Sequence, residues 1–170
     1  MEFSVYPLFS PQSLIAEGTA NYGIEVAFSR PERLDFERRV LFPAAQLKSE
    51  MAARYYEVLD LVDRLSYAGN EAARRYLDGQ IDRNAAIEWL EKYGLYTRPR
   101  AEQRVRFIEQ YRSYVINYNL GKDMVAAHIA VRLKADTTYV ESGFSRTDRR
   151  WSEFARLISS PRLPSGLERK

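Results

Sequence analysis

The sequence predicts an all-α protein, an irregular bundle of about five or six helices with a loosely ordered C-terminal tail. Apolar residues recur every three or four positions along most of the first 133 residues. Prolines and glycines stand where helices start and stop, and no segment of useful length alternates as a strand does. A chain of 170 residues fits one domain, so we expect a helical domain at 1–133 and an irregular basic tail at 134–170.

The first two predicted helices begin at prolines. Ser10 and Pro11 predict a helix that continues to Phe28, with Ser10 as N-cap and Pro11 in the first turn. Ser29-Arg30-Pro31 predicts a second, short amphipathic helix. That helix should end before Pro43, because the residue preceding a proline disfavours helical backbone.

The longest predicted helix carries an apolar seam. The seam residues follow one another at intervals of 4, 3, 4 and 3 positions, which is the spacing of coiled-coil-like packing. They are Met51, Tyr55, Val58, Val62 and Leu65. We expect Ala68-Gly69-Asn70 to interrupt this helix, because glycine disfavours helix and asparagine can cap a new one.

Three further helices are predicted downstream. Asp82 should cap a helix over 83–93 that Gly94 ends, and Pro99 should open the next. The apolar face from residue 105 to residue 121 is strongly aromatic, with Val105, Ile108, Tyr111, Val115 and Tyr118 at helical spacing. A last helix is predicted over 122–133.

The tail has a different character. Residues 134–147 show no helical period and many turn formers, and they are similar to stretches at the ends of unrelated bacterial open reading frames. That similarity implies a read-through segment. Residues 151–158 can form one short helix, and we expect the tail to be dispensable to the fold.

Composition excludes several classes of function. The chain has no cysteine, so thiolate chemistry, disulfides and cysteine-rich zinc sites are excluded. The tail carries eight Lys/Arg against five Asp/Glu, whereas residues 1–133 carry 18 of each. Nucleic acid is therefore not the expected partner, because counterion release requires a concentrated basic surface. No signal peptide or membrane span is visible, so a cytoplasmic location is the default expectation.

A line of polar side chains, Glu17, Asn21 and Glu25, runs along the otherwise apolar first helix at intervals of four residues. Such a line is typical of the solvated face of a helix. It is also compatible with a metal ligand, because small neighbours such as Gly18 let a carboxylate-bearing helix approach a second helix closely. The residues alone leave both interpretations open.

The order of several segments is shared with a known family. They are Glu17 to Tyr22, Tyr56 to Tyr67, Asp82 to Gly94 and Tyr111 to Gly121. Over about residues 8–130 the chain resembles the C-terminal half of the bacterial domain-of-unknown-function 885 family, which consists of helical, gluzincin-type zinc-metallopeptidase-like proteins. The upstream half of that family carries a His-Glu-Gly-Tyr-Pro-Gly-His-like zinc motif. This chain lacks the motif and contains a single histidine, His128.

The resemblance implies that Glu17 is a zinc ligand. It implies that Tyr118, in the run Tyr118-Asn119-Leu120-Gly121, stabilises an oxyanion, and that Arg112 holds a substrate carboxylate. The expected function is that of a truncated zinc-metallopeptidase-like domain whose ancestral activity is peptide or amide hydrolysis. Because zinc requires several protein ligands, we expect this chain to bind no zinc and to have no hydrolytic activity by itself.

A helical protein–protein interaction module is the alternative function. The aromatic face of residues 105–121 would then bind the partner. A domain that lacks its N-terminal half should expose such a face, so self-association and binding of the missing half are both expected. Tyr111, Tyr114 and Tyr118 are equally compatible with a packed aromatic core.

Overall fold

The all-α prediction is confirmed. A computed structural model describes residues 7–135, 146–160 and 163–167, and this part of the chain contains no strand. Its α-helices are α1 (Gln12–Ala27), α2 (Arg30–Phe36), α3 (Phe42–Ala44), α4 (Ala52–Leu77), α5 (Arg83–Gly94), α6 (Arg98–Tyr111), α7 (Asn119–Ala135) and α8 (Arg146–Ile158). A π-helical turn spans Glu37–Leu41, and 3₁₀ turns span Ser49–Met51, Arg112–Asn117 and Pro164–Leu167. No helix within the described ranges is long and apolar enough to cross a membrane.

The predicted interruption at Ala68-Gly69-Asn70 is wrong, because α4 runs unbroken through these residues. A glycine inside a helix costs about 1 kcal/mol relative to alanine, which packing can offset. Here Ala72 and Ala73 are fully buried, and Nε1 of Trp89 donates a hydrogen bond of 3.1 Å to the carbonyl of Ala68. These tertiary contacts stabilise the helix across the glycine.

Two predicted helix ends also differ from the structure. Helix α2 itself ends at Phe36, but the helical backbone does not stop before Pro43. It continues through the π-helical turn into α3, where Pro43 occupies the first turn and its missing N–H is harmless. Gly94 belongs to α5, and the left-handed residue that ends this helix is Leu95, at φ 57°. The Asp82 cap is confirmed, since its Oδ1 accepts a hydrogen bond of 2.8 Å from the Ala85 amide.

The chain divides into two compact units, one continuous and one formed from both ends of the sequence. The central unit comprises residues 29–115 and contains α2 to α6. Its core lies where the second half of α4, α5 and α6 meet. The buried residues there are Ala72, Ala86, Ile87, Leu90, Ala101 and Val105.

The second unit is discontinuous and comprises residues 1–28 and 116–170. Helices α1, α7 and α8 pack together in it around a core of Tyr22, Val26, Val125, Ile129, Phe154, Leu157 and Leu167. Part of the segment predicted to be dispensable therefore supplies core residues. The physical reason is the amphipathic character of α8, which buries Phe154 and Leu157 and pairs the buried carboxylate of Glu153 with Arg132 of α7. The read-through interpretation concerned residues 134–147, most of which lie outside the described residues.

Candidate functional site

The discontinuous unit contains an unusually close contact between two helices. A Cβ atom placed on Gly18 of α1 would lie 2.4 Å from the carbonyl carbon of Gly121, which belongs to α7. A Cβ atom on Gly121 would lie 2.5 Å from the carbonyl oxygen of Leu14. Real Cβ atoms do not approach backbone this closely, so both helices require glycine at the crossing.

This crossing brings together two of the three predicted site residues. Glu17 directly precedes Gly18 and is half-buried, while Tyr118 lies just before α7 and is 37% exposed. The side-chain amide of Asn21 donates to the carbonyl of Glu17 at 2.9 Å and makes a longer contact of 3.5 Å with the carbonyl of Tyr118. Arg112 belongs to the central unit and has an exposed side chain.

The polar line on α1 makes contacts between helices. Asn21 contacts the Tyr118 carbonyl, and the carboxylate of Glu25 forms an ion pair of 2.8 Å with the ammonium of Lys122 on α7. These contacts join α1 to the beginning of α7, which gives the line a structural role in addition to any role of Glu17. Burial raises the pKa of Tyr22 on the same helix, so its phenol stays protonated at neutral pH.

The residues present do not fit a zinc ion. Structural and catalytic zinc sites use three or four protein ligands within about 2.0–2.3 Å of the metal. Within the described ranges no group of three or more His, Cys, Asp or Glu side chains is arranged to hold a metal. Glu17 is therefore not part of a metal-binding group among these residues.

Most of the aromatic face of residues 105–121 is used inside the protein. Val105 and Ile108 are fully buried, and Tyr114 and Val115 are nearly so. The ring of Tyr111 packs 4.5 Å from that of Phe107, measured between centroids. Little of this face is left for a partner, and its exposed aromatic member, Tyr118, lies beside the Gly18–Gly121 crossing.

Four large apolar side chains in the first part of α4, and Met51 in the turn before it, are exposed instead. We call these five residues the α4 surface: Met51, Tyr55, Val58, Leu61 and Val62. Each is between 48% and 58% exposed. The 4, 3, 4, 3 spacing had predicted that Met51, Tyr55, Val58, Val62 and Leu65 pack against another helix. Among the described residues Leu65 is partly buried, whereas the other four stay about half exposed.

A groove lies at the N-terminal end of the α4 surface. It has a volume of about 530 Å³ and lies between the 42–48 segment and the first turns of α4. Its lining is apolar except for Lys48 and Arg54, and consists otherwise of Phe42, Leu47, Met51, Tyr55 and Val58. The ring of Phe42 stands edge-on to Tyr55 at 5.8 Å between centroids, which supports one wall.

A buried tyrosine fixes the opposite side of α4. Tyr56 lies beneath the guanidinium groups of Arg30 and Arg33, which are 6.0 and 5.5 Å from its ring centroid. Burial raises the pKa of Tyr56 to about 12, so the phenol is neutral at physiological pH. Arg30 also pairs with Asp60 of α4. The inner face of α4 is therefore held by α2 while the apolar surface points away.

Comparison with known proteins finds no matching family model, no matching curated protein and no matching solved structure. The resemblance to the zinc-metallopeptidase-like family consequently stays a prediction.

Proposed function

We propose that this chain is a helical protein-interaction module that binds an α-helix of its partner along the α4 surface. The observation that carries the proposal is the exposure of five large apolar side chains that share one helical stripe. From Met51 to Val62 the stripe is about 17 Å long at 1.5 Å per residue, enough for three turns of a partner helix.

The energetics support a binding role. Leaving large apolar side chains in water forgoes about 25 cal/mol for every Å² that could have been buried. Single exposed apolar residues need no explanation, but a contiguous stripe beside an apolar groove is typical of an interaction site. A partner helix that inserts side chains into the groove would recover this free energy, as in other helix-in-groove complexes.

The proposal is tested by capture on immobilised protein. Val62→Asp places a charge in the α4 surface, and Val131→Asp makes the same change at a similarly exposed valine of α7. We expect a protein, or a differently tagged copy of this chain, to be retained by wild type and by Val131→Asp but lost with Val62→Asp. If nothing is retained in a way that depends on Val62, the interaction proposal fails.

The metallopeptidase-like origin remains a second proposal, favoured by one observation. Glu17 and Tyr118, the candidate ligand and the candidate oxyanion donor, lie on either side of the same helix crossing. We propose that they belong to a zinc-dependent hydrolase site whose other ligands come from an N-terminal half that these 170 residues do not contain. Such a partial site would have no hydrolytic activity by itself.

Metal analysis of purified protein tests this origin. Mixing the chain with a separately expressed upstream half that carries the two histidines should restore stoichiometric zinc, and Glu17→Ala should abolish it. Glu25→Ala serves as the matched control on the same helix. Zinc held tightly by the chain alone, or by the mixture regardless of Glu17, would contradict the proposal.

A further inference from the structure

Helix α6 separates its positive charge from its negative charge. It carries two carboxylates, and both are already paired. Glu109 pairs with Arg83 of α5 at 3.2 Å. Glu102 pairs at 3.6 Å with Arg98 of the same helix, and Arg98 also pairs with Glu91 of α5. No carboxylate of α6 is therefore left to neutralise the other arginines of this helix.

Those other arginines lie on one side of α6. At 3.6 residues per turn, a sector of about 160° around the helix axis contains no carboxylate. We call the following residues of this sector the α6 arginine face: Arg100, Gln103, Arg104, Arg106, Phe107 and Gln110. Arg100 and Arg106 are exposed, and Arg104 is partly buried. Among the described residues, none of these three arginines forms an ion pair.

Aromatic rings support two of the three guanidinium groups. Cζ of Arg104 lies 5.0 Å from the ring centroid of Phe107, and Cζ of Arg100 lies 5.0 Å from that of Tyr96. The ring of Tyr111 packs against Phe107 in turn. A guanidinium that rests on a ring keeps its N–H groups at its edge, where they can donate to phosphate oxygens. Its restricted motion also lowers the entropy that binding would cost.

We propose that the α6 arginine face binds single-stranded nucleic acid. Guanidinium groups donate to phosphate oxygens in pairs of hydrogen bonds and offer planes on which bases stack, and glutamine amides can pair with base edges. Bases stack on such planes only when they are unpaired, which favours a single strand over a duplex. From Arg100 to Gln110 the face is about 15 Å long, which corresponds to about four nucleotides at a spacing of 3.4 Å.

The charge balance of the whole segment had predicted no nucleic-acid partner. Residues 1–133 carry 18 basic and 18 acidic side chains, but this count includes the arginines and carboxylates that pair with one another. Counterion release depends on the local density of cations, and three arginines without an ion pair among the described residues lie on one helix face here. Three cations are few, so we expect a dissociation constant of about 1–100 μM, as in non-specific binding.

Fluorescence anisotropy with a labelled uridine strand of ten nucleotides tests the proposal. Arg104→Gln should weaken binding about 5-fold at about 0.1 M salt, because it removes one phosphate contact. The slope of the logarithm of the association constant against the logarithm of the salt concentration should also become shallower by about 0.7. Arg64→Gln removes an exposed arginine from α4 and serves as the control, with both quantities unchanged.

The supporting ring is tested by Phe107→Leu. This variant keeps an apolar side chain but removes the ring beneath Arg104. It should weaken binding about 3-fold and leave the salt slope unchanged, because the number of phosphate contacts stays the same. Circular dichroism of each variant establishes that the helices are still folded. A salt slope that falls in Phe107→Leu as it does in Arg104→Gln would contradict the positioning role of the ring.

Three results would overturn the proposal. The first is no binding at low salt, and the second is equal weakening by Arg104→Gln and Arg64→Gln. The third is displacement of the strand by a polyglutamate of equal charge as efficiently as by unlabelled uridine strand, which would indicate an acidic protein as the partner. A duplex bound more tightly than the single strand would contradict the stacking argument. A thymidine deoxynucleotide strand of the same length shows whether RNA or DNA is preferred, and preference for either supports the proposal.

Nucleic-acid binding is independent of the proposed function, because the α6 arginine face and the α4 surface share no residue. A chain that binds no strand can still capture a partner in a manner that Val62→Asp abolishes. Conversely, loss of capture in Val62→Asp leaves the effects of Arg104→Gln on strand binding unchanged.

Discussion

The two halves of α4 belong to one continuous helix but use apolar side chains in opposite ways. The second half buries the small residues Gly69, Ala72 and Ala73, and Ala72 lies in the core that α4 shares with α5. The first half exposes large residues such as Val58 and Leu61. Small side chains thus lie in the buried second half, while the large ones of the first half stay about half exposed in the part of the chain that the structure describes.

The largest expected difference between the halves comes from matched leucine truncations. Leu90 of α5 is fully buried against the second half of α4, whereas Leu61 is 58% exposed on the first half. Leu90→Ala should lower the free energy of unfolding by about 2–5 kcal/mol, because it removes packed atoms and leaves a cavity. Leu61→Ala should cost less than about 1 kcal/mol.

Urea denaturation measures both variants, at a protein concentration low enough that association through the α4 surface does not add to stability. Equal losses in the two variants would mean that the first half is part of the core after all.

Enlarging an alanine to leucine should also destabilise the protein more in the second half of α4 than in the first, but by less than the leucine truncation does. Ala72 is fully buried between α4 and α5, and Ala53 is exposed on the first half. Ala72→Leu should destabilise the central unit by about 1–3 kcal/mol, since the close helix contact has no room for three more carbon atoms. Ala53→Leu should change stability by less than about 0.5 kcal/mol. Thermal unfolding of both variants measures this difference in stability. An unchanged unfolding midpoint for Ala72→Leu would show that the two helices can separate without cost.

Removal of one hydrogen bond should weaken the junction between the two halves of α4. Trp89→Phe removes the indole N–H that donates to the carbonyl of Ala68 and reduces the ring area beneath Arg75, whose guanidinium lies 4.5 Å from the ring centroid. We expect a loss of about 1 kcal/mol. Hydrogen exchange should also become faster around Gly69. Trp151→Phe in α8, where the tryptophan is 45% exposed, serves as the control and should leave exchange at Gly69 unchanged.

The smallest expected effect is a change of stability with pH that comes from one carboxylate, Glu71, on the second half of α4. Hydrogen bonds from Arg74 and Arg75 lower the pKa of Glu71 from 4.5 to about 2. A carboxylate whose pKa is lower in the folded state stabilises it above the unfolded pKa, and this contribution is lost as pH falls from about 4.5 to about 2.

The unfolding midpoints of wild type and Glu71→Gln should therefore differ slightly at pH 6 and converge near pH 2. A difference that is the same at both pH values would contradict this assignment.

Local patterns predicted much of the fold. The Asp82 cap needs only the residues next to it, and the seam from Met51 to Leu65 follows from spacing alone. The predicted interruption at Gly69 failed because contacts from α5, distant in sequence, stabilise that turn. The left-handed conformation of Leu95 rather than Gly94 likewise has no local signal, since glycine is the usual residue there.

The candidate site was predicted less completely, because it depends on which helices meet. Glu17 and Tyr118 were named from separate short motifs, and the Gly18–Gly121 crossing does bring their helices together. Arg112, near Tyr118 in sequence, belongs to the other unit. The seam on α4 was visible in the sequence, but periodicity cannot indicate whether the helix that covers it belongs to the same chain.

The discontinuous unit imposes an order on folding during synthesis. Helix α1 leaves the ribosome before the central unit, yet the helices that cover Tyr22 and Val26 are encoded about 90 residues later. At 5–20 residues per second, roughly 5–20 s pass between the synthesis of α1 and that of α7, and the residues of the central unit are made in that interval. During that interval its apolar side chains are open to chaperones and to other nascent chains, so α1 is made before the central unit and yet is protected after it.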